Sequence, residues 1–140
     1  MISKARAAEI AIIYIRNDGG KGEPDEAGTA GWAIHPQLAP STNDLVVDKT
    51  TPDAFENTNL ATHLAELNLE KLCVVGMQSE MCVRTTCQKA VELGFKVVLV
   101  QDGHTTFDFE DAAAVETIRA VNLELSRIAE VKPAEELCLN

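Results

Sequence analysis

One stretch of the sequence, residues 71–101, constrains the fold more than any other. It reads KLCVVGMQSEMCVRTTCQKAVELGFKVVLVQ. Two short apolar runs, at residues 72–75 and 96–100, flank a segment with helical periodicity at residues 81–93. Gly76 ends the first run. Two apolar strands joined through a helix form a right-handed βαβ unit, so the two strands are predicted to be parallel.

Cys82 falls in the first turn of the predicted helix, just beyond the carboxyl end of the first strand. Open α/β sheets bind their ligands at this edge. The unpaired N–H groups and the positive end of the helix dipole also stabilise a thiolate there. Free cysteine is also common as a small residue buried in the core. Position alone therefore leaves two interpretations of Cys82 open, a nucleophile and a core residue.

Strands and helices alternate along the rest of the chain, which predicts one α/β domain over residues 1–140 with three α/β/α layers and a parallel sheet. Further strands are predicted at residues 10–15, 45–48 and 127–131, and helices at residues 1–9, 58–68 and 109–125. Parallel strands end at one edge of the sheet, so we expect Lys49, after the strand at 45–48, to lie at the same edge as Cys82.

A long loop rich in glycine and proline is predicted at residues 17–41. Loops of this length inside a compact domain are usually functional, often as a wall or lid over a site. Trp32 lies in it and has two interpretations, a loop anchor that packs on the core or a wall of the pocket.

Two motifs resemble those of a known family. The run Gly76-x-x-Ser79-Glu80-x-Cys82-Val83 and the segment VVDKTTPDAFENTNL are similar to segments of the isochorismatase-like cysteine hydrolases, which include nicotinamidases and N-carbamoylsarcosine amidohydrolases. In the second segment the matching lysine is Lys49 and the matching aromatic residue is Phe55. The resemblance extends over most of the chain, from about residue 5 to residue 137.

The resemblance implies a Rossmann-type fold and hydrolysis of a small amide or carbamoyl C–N bond. Cys82 would attack the carbonyl carbon as a thiolate, and the charge of Lys49 would hold that thiolate. The tetrahedral oxyanion would lie against the backbone N–H groups of Gln78 and Cys82. In the family a cis peptide bond precedes the first of these donors, and here it would join Met77 to Gln78.

The chain departs from the family in its first residues. The family places an aspartate at the end of its first, central strand, where it takes the thiol proton and protonates the leaving amine. This chain opens with SKARAAEIAIIYIRN, which corresponds to the end of the family's first helix and its second strand. Three acids are possible substitutes: Glu80, which fills a structural position of the family, Asp102, which is interpreted as a turn residue, and Asp18, which would reach the site if the sheet rearranged.

The departure has two consequences that we state as predictions. The strands at residues 10–15 and 72–75 would each expose an unpaired edge, and such edges pair with other chains. We therefore expect a homo-oligomer unless these strands pair directly. The alternative function is a catalytically impaired member of the family that binds a ligand or a partner. A redox role for Cys82 with Cys87 has weaker support, because a helix offset of five residues aligns two thiols poorly.

Composition excludes several classes of function. A net charge of −10 argues against nucleic acid as a partner, and no apolar run approaches the length that spans a membrane. The four cysteines show no C-x-x-C spacing, which indicates free thiols, with Cys73 expected in the core, and a cytoplasmic setting. Nicotinamidases bind their metal after the second strand, where this chain has Asn17 and Asp18. We therefore expect no metal and no cofactor, and a small-molecule substrate in a pocket that includes Phe55, Trp32 and Asp18.

Overall fold

The computed structural model describes residues 1–137, so Cys138 lies outside the described residues. A π-helical turn, Ser79–Val83, joins β3 to α3, and 3₁₀ turns lie at Pro36–Leu38 and Ala134–Glu136. The regular elements follow in the order α1 (Ile2–Ala7), β1 (Ile13–Asn17), β2 (Leu45–Lys49), α2 (Leu60–Glu66), β3 (Lys71–Met77), α3 (Arg84–Glu92), β4 (Lys96–Thr105), α4 (Ala114–Leu125) and β5 (Glu130–Lys132).

Every pair of neighbouring strands is parallel, which confirms the predicted α/β fold class. The strands form two sheets, one with the order β1-β2 and one with the order β3-β4-β5. Among the described residues, β1 and β3 each have a single neighbour, so the two strands are not paired with each other. The sequence left open whether these two strands pair directly, and in the described residues they do not.

Two apolar clusters pack helices onto the sheets. In the first, α3 and α4 cover β4, and the fully buried side chains of Cys87, Leu99 and Leu125 lie at its centre. In the second, α2 covers the sheet of β1 and β2 through Leu60 and Leu64. Phe55, Leu72 and Phe95 contact both clusters, and this shared packing joins the two sheets.

Cys73 is exposed, and its predicted place in the core is wrong. Side chains of β3 alternate between two faces. Leu72 and Val74 face the helices, whereas Cys73, Val75 and Met77 face the other side, where 45% of Val75 and 52% of Met77 remain exposed. The alternation was readable in the sequence, but which face is covered depends on elements far away in the chain.

Element boundaries differ from the predictions where tertiary contacts extend or shorten a run. β4 continues to Thr105 instead of ending near residue 100, because it pairs with β3 again beyond a bulge, with Gly76 opposite His104. α4 begins at Ala114 rather than at residue 109, since residues 109 and 112 close a tight turn of their own. Within the described residues, no helix is long and apolar enough to cross a membrane.

Candidate active site

Lys49 and Cys82 meet at the carboxyl edge of the strands. Lys49 is the last residue of β2, and Cys82 lies in the π-helical turn that follows β3. Lys49 Nζ lies 3.2 Å from Cys82 Sγ, although the residues are 33 positions apart. The parallel topology therefore brings together the two residues that the sequence singled out.

The ammonium group of Lys49 is held by three acceptors. It donates to Asn17 Oδ1 and to the carbonyl oxygen of Thr51, each at 2.8 Å, and to Cys82 Sγ. A lysine ammonium has three N–H donors, so all three are used. Lys49 is only 5% exposed, so its ammonium reaches Cys82 Sγ from within the protein.

Asn17 contacts Lys49, a neighbour that sequence reasoning missed. Its side-chain oxygen accepts from Lys49, while its Nδ2 donates to Asp25 Oδ2 at 2.7 Å. Asn17 lies opposite Lys49 in the register of β1 and β2. The signal available in the sequence was its position at the end of a predicted strand, one strand away from Lys49, but the register was not readable.

The turn between β3 and α3 presents the predicted oxyanion donors. The peptide bond between Met77 and Gln78 is cis, as the resemblance implies, and Gly76 before it adopts a φ of 136°, a region open mainly to glycine. The carbonyl oxygen of Gln78 accepts from the amides of Met81 and Val83 at 3.2 and 3.1 Å. These bonds fix the turn that carries Gln78 and Cys82.

Behind this turn, two side-chain contacts join it to the end of β4. Ser79 Oγ lies 2.8 Å from His104 Nδ1, and Thr106 Oγ1 donates to Glu80 Oε1 at 2.8 Å. The contact of Glu80 fits the structural position that the resemblance gave it. Beyond β4, Asp108 Oδ1 accepts from the amide of Ala114 at 2.7 Å, at the start of α4.

The other predicted pocket residues have contacts of their own. Asp18 Oδ1 accepts from the amides of Gly20 and Ala27, and so shapes the glycine-rich loop. Phe55 stacks on Phe95 with 6.0 Å between ring centroids. A place in the substrate pocket for Asp18 and Phe55 stays a prediction.

Trp32 packs under the guanidinium of Arg16, 3.3 Å from the ring centroid, and Arg16 pairs with Asp48 through two hydrogen bonds. Arg16 and Asp48 precede Asn17 and Lys49 by one position on their strands, so they point to the opposite face. Trp32 therefore contacts the face of this sheet that lies away from Lys49. Its assignment as a pocket wall stays a prediction.

Around Cys82, the part of the chain that the structure describes forms no metal site. Among residues 1–137, no group of three or more histidine, cysteine, aspartate or glutamate side chains is arranged to hold a metal ion. A cavity of about 560 Å³ lies at the amino ends of β3 and β4, lined by Lys71, Lys96 and Arg127 among others. That is the opposite end of the strands from Cys82, so we do not assign it to the substrate.

The chain is similar to known proteins over most of its length. Residues 1–130 match the model of the isochorismatase domain. The chain is 38% identical to a streptothricin hydrolase of Streptomyces noursei over 112 residues, which cover 80% of this chain and 41% of that protein. It is 28% identical to the ureidoacrylate amidohydrolase RutB of Agrobacterium fabrum over an alignment that covers 81% of this chain and 64% of that protein.

A solved isochorismatase of Pseudomonas putida KT2440 superposes with a TM-score of 0.82 and 31% identity, covering 98% of this chain and 73% of that one. The chain thus spans about two fifths of the length of the streptothricin hydrolase, while nearly all of it has a counterpart in the solved structure.

Proposed function

The chain belongs to the isochorismatase family, and from this premise we propose that it is a cysteine hydrolase that cleaves a small amide or carbamoyl C–N bond through Cys82. The observation that carries the proposal is the contact of 3.2 Å between Lys49 Nζ and Cys82 Sγ. A thiolate is the reactive form of cysteine, and a neighbouring ammonium favours it. RutB, named as an amidohydrolase, supports a C–N bond as the target.

The proposed reaction proceeds through a thioester. The thiolate of Cys82 forms an S–C bond to the carbonyl carbon, and the oxyanion lies against the N–H groups of Gln78 and Cys82. The C–N bond then breaks, and the amine leaves with its electron pair and takes a proton from water. A second water attacks the thioester, releases the acid and restores the thiol. Loss of one oxyanion donor typically costs about 10²–10³ in kcat.

A second candidate function is an impaired member of the family that binds its ligand without efficient turnover. Among residues 1–137, no carboxylate hydrogen-bonds to Cys82 Sγ; Asp25 is linked to the site only through Asn17 and Lys49. General acid–base catalysis contributes typically about 10²–10⁴-fold. We therefore expect weak or absent hydrolysis by this chain alone.

The test is an activity screen on nicotinamide, carbamoyl compounds and simple amides, with mass spectrometry of the intact protein to detect an acyl adduct. Cys82→Ala removes the nucleophile, and Cys73→Ala is the matched control, since it removes an exposed thiol outside the site. Slow turnover that only Cys82→Ala abolishes supports the hydrolase. Ligand-induced thermal stabilisation without adduct or turnover favours the binding protein instead. Turnover at ordinary enzyme rates would show that another acid replaces the aspartate of the family. Asp18→Asn would then test whether Asp18 is that acid.

A further inference from the structure

A chain of three buried or half-buried polar side chains connects α4 to the turn that carries Cys82. Ser79 Oγ lies 2.8 Å from His104 Nδ1, and His104 Nε2 lies 3.0 Å from Asn122 Oδ1. Ser79 is fully buried and His104 is 6% exposed. Buried polar groups are costly unless they are paired, so a satisfied chain of this kind rigidifies what it connects.

The hydrogen-bond partners determine which group donates at each of the two contacts, and thereby the tautomer of His104. Asn122 Nδ2 donates to the carbonyl oxygen of Gln101 at 3.1 Å, and this bond orients the amide so that Oδ1 faces His104. An amide oxygen only accepts, so Nε2 of His104 carries the hydrogen and donates. In the neutral ring Nδ1 is then an acceptor, and the hydroxyl of Ser79 donates to it.

Serine paired to histidine is also the arrangement of a nucleophile, but the burial of Ser79 excludes that role. Its side chain has no exposed surface, so no substrate carbonyl reaches it. Ser79 is the first residue of the π-helical turn and lies between Gln78 and Glu80. Glu80 is held in addition by Thr106, and Met77 pairs with Thr105. The end of β4 and the residue after it thus contact Met77, Ser79 and Glu80, which lie on both sides of Gln78.

We infer that the Ser79–His104–Asn122 chain positions the N–H groups of Gln78 and Cys82 for carbonyl chemistry; this rests on the proposed function of Cys82. His104 is a positioning residue, because it acts through Ser79 and touches neither thiol nor substrate. Oxyanion stabilisation depends on donor placement within fractions of an ångström, whereas the presence of a thiolate depends on the ammonium of Lys49. The two properties are therefore separable by experiment.

The experiment compares two reactions of Cys82 in the intact chain. Iodoacetamide alkylates a thiolate by direct displacement of iodide and forms no oxyanion. p-Nitrophenyl acetate acylates the same thiolate: the S–C bond forms, a tetrahedral oxyanion appears, the C–O bond breaks, and p-nitrophenolate leaves with the electron pair. The rate of Cys82 acylation divided by the rate of its alkylation, both measured by peptide mapping, reports the oxyanion donors.

Four variants are measured together with the unsubstituted chain. His104→Leu and Ser79→Ala break the chain of hydrogen bonds, and His104→Asn keeps a polar group near the position of Nδ1. His63→Leu is the matched control, since His63 lies on α2 and pairs only with Glu66 across one helical turn. Melting curves verify that each variant is folded. Where His104→Leu does not fold, Asn122→Ala takes its place, because it removes only the orienting partner.

We expect the ratio to fall about tenfold in His104→Leu and Ser79→Ala, a fraction of the 10²–10³ that losing a donor outright costs, while alkylation changes little. His104→Asn should recover most of the ratio, and His63→Leu should leave it unchanged. A ratio unchanged in folded Ser79→Ala and in folded His104→Leu or Asn122→Ala overturns the inference while the proposed function stands. Failure of the unsubstituted chain to acylate at Cys82, with alkylation intact, overturns both.

Discussion

At the scale of single residues, Lys49 links the two sheets through its hydrogen bonds. Its ammonium contacts the end of β1 through Asn17 and the turn after β3 through Cys82. All three of its donors are engaged, one of them by the sulfur of Cys82. The other described cysteines lack this partner: Cys73 is exposed, and Cys87 is fully buried in the core.

Lys49→Met should lower the rate of iodoacetamide labelling of Cys82 at pH 7 by about tenfold or more, because it removes the charge that favours the thiolate. Lys89→Met is the matched control, since Lys89 lies on α3 and pairs with Glu92 at the surface. Peptide mapping over time measures the rate at each thiol. Faster labelling of Cys73 than of Cys82 in the unsubstituted chain would contradict the site assignment.

The burial of Cys87 makes the free energy of unfolding depend on pH. Burial raises the pKa of its thiol to about 12. The folded state therefore keeps the proton at a pH where the unfolded state has lost it. The retained proton stabilises the folded state. This stabilisation is fully present below the pKa of the thiol in the unfolded chain, near 9.0, and is lost as the pH rises from there towards 12.

Urea unfolding at a series of pH values from 8 to 11 measures this dependence, whose slope approaches about 1.4 kcal/mol per pH unit for a single thiol. Cys87→Ala should flatten the curve above pH 9 even if it lowers stability throughout through a small cavity. A slope equal to that of the unsubstituted chain would mean that other groups cause the loss. The same burial argues against a redox pair of Cys82 and Cys87.

At the scale of elements, the side chain of Arg6 links α1 to residues near β1 and β2. Arg6 donates to Asp44, at 2.7 Å, to the carbonyl oxygen of Ala39 and to the hydroxyl of Tyr14. Asp44 lies next to the start of β2, and the guanidinium beside it holds the pKa of its carboxyl below the usual range. α1 itself contributes no buried residue.

Asp44→Asn should release α1 without unfolding the sheets, since it removes the charged partner of Arg6 but leaves both apolar clusters intact. Hydrogen exchange of residues 2–7 measures the release, and Glu92→Gln, which breaks the surface pair with Lys89, is the control. In the unsubstituted chain the protection factors of the same amides, corrected for the intrinsic exchange rate, should fall as the pH falls through the lowered pKa of Asp44. Unchanged exchange in Asp44→Asn would show that other contacts hold the helix.

At the scale of the whole molecule, the two sheets meet without a shared strand. Lys49 contacts Asn17 at the end of β1 and Cys82 in the turn after β3, yet β1 and β3 are not paired among the described residues. Each strand therefore has an unpaired edge, and unpaired edges promote association. We propose that the chain forms a homo-oligomer through these edges, in which a second copy supplies the missing pairing.

Light scattering over a concentration series should give a dimer or a larger species. Val75→Lys should reduce association, because a charged side chain on β3 disfavours pairing of its edge, whereas Leu67→Lys, at an exposed position after α2, should not. A stable monomer at all concentrations would contradict the proposal.

The sequence alone predicted the features that follow from local pattern and topology. The apolar runs on either side of Cys82 predicted a parallel βαβ unit, and the common edge of parallel strands predicted that Lys49 and Cys82 lie at the same edge of the sheet. Both depend on periodicity and chain direction, which are readable one residue after another. The resemblance added the cis bond between Met77 and Gln78, which periodicity does not reveal.

Only the tertiary structure decided which side chains complete the site. Asn17 contacts Lys49 because β1 and β2 pair in one particular register. His104 reaches Ser79 because β4 continues past a bulge, across 25 positions of sequence. Cys73 is exposed because no described element covers that face of β3. In each case the local pattern allows more than one arrangement, and packing between distant elements selects one, since hydrogen bonds and burial are settled by neighbours in space rather than in sequence.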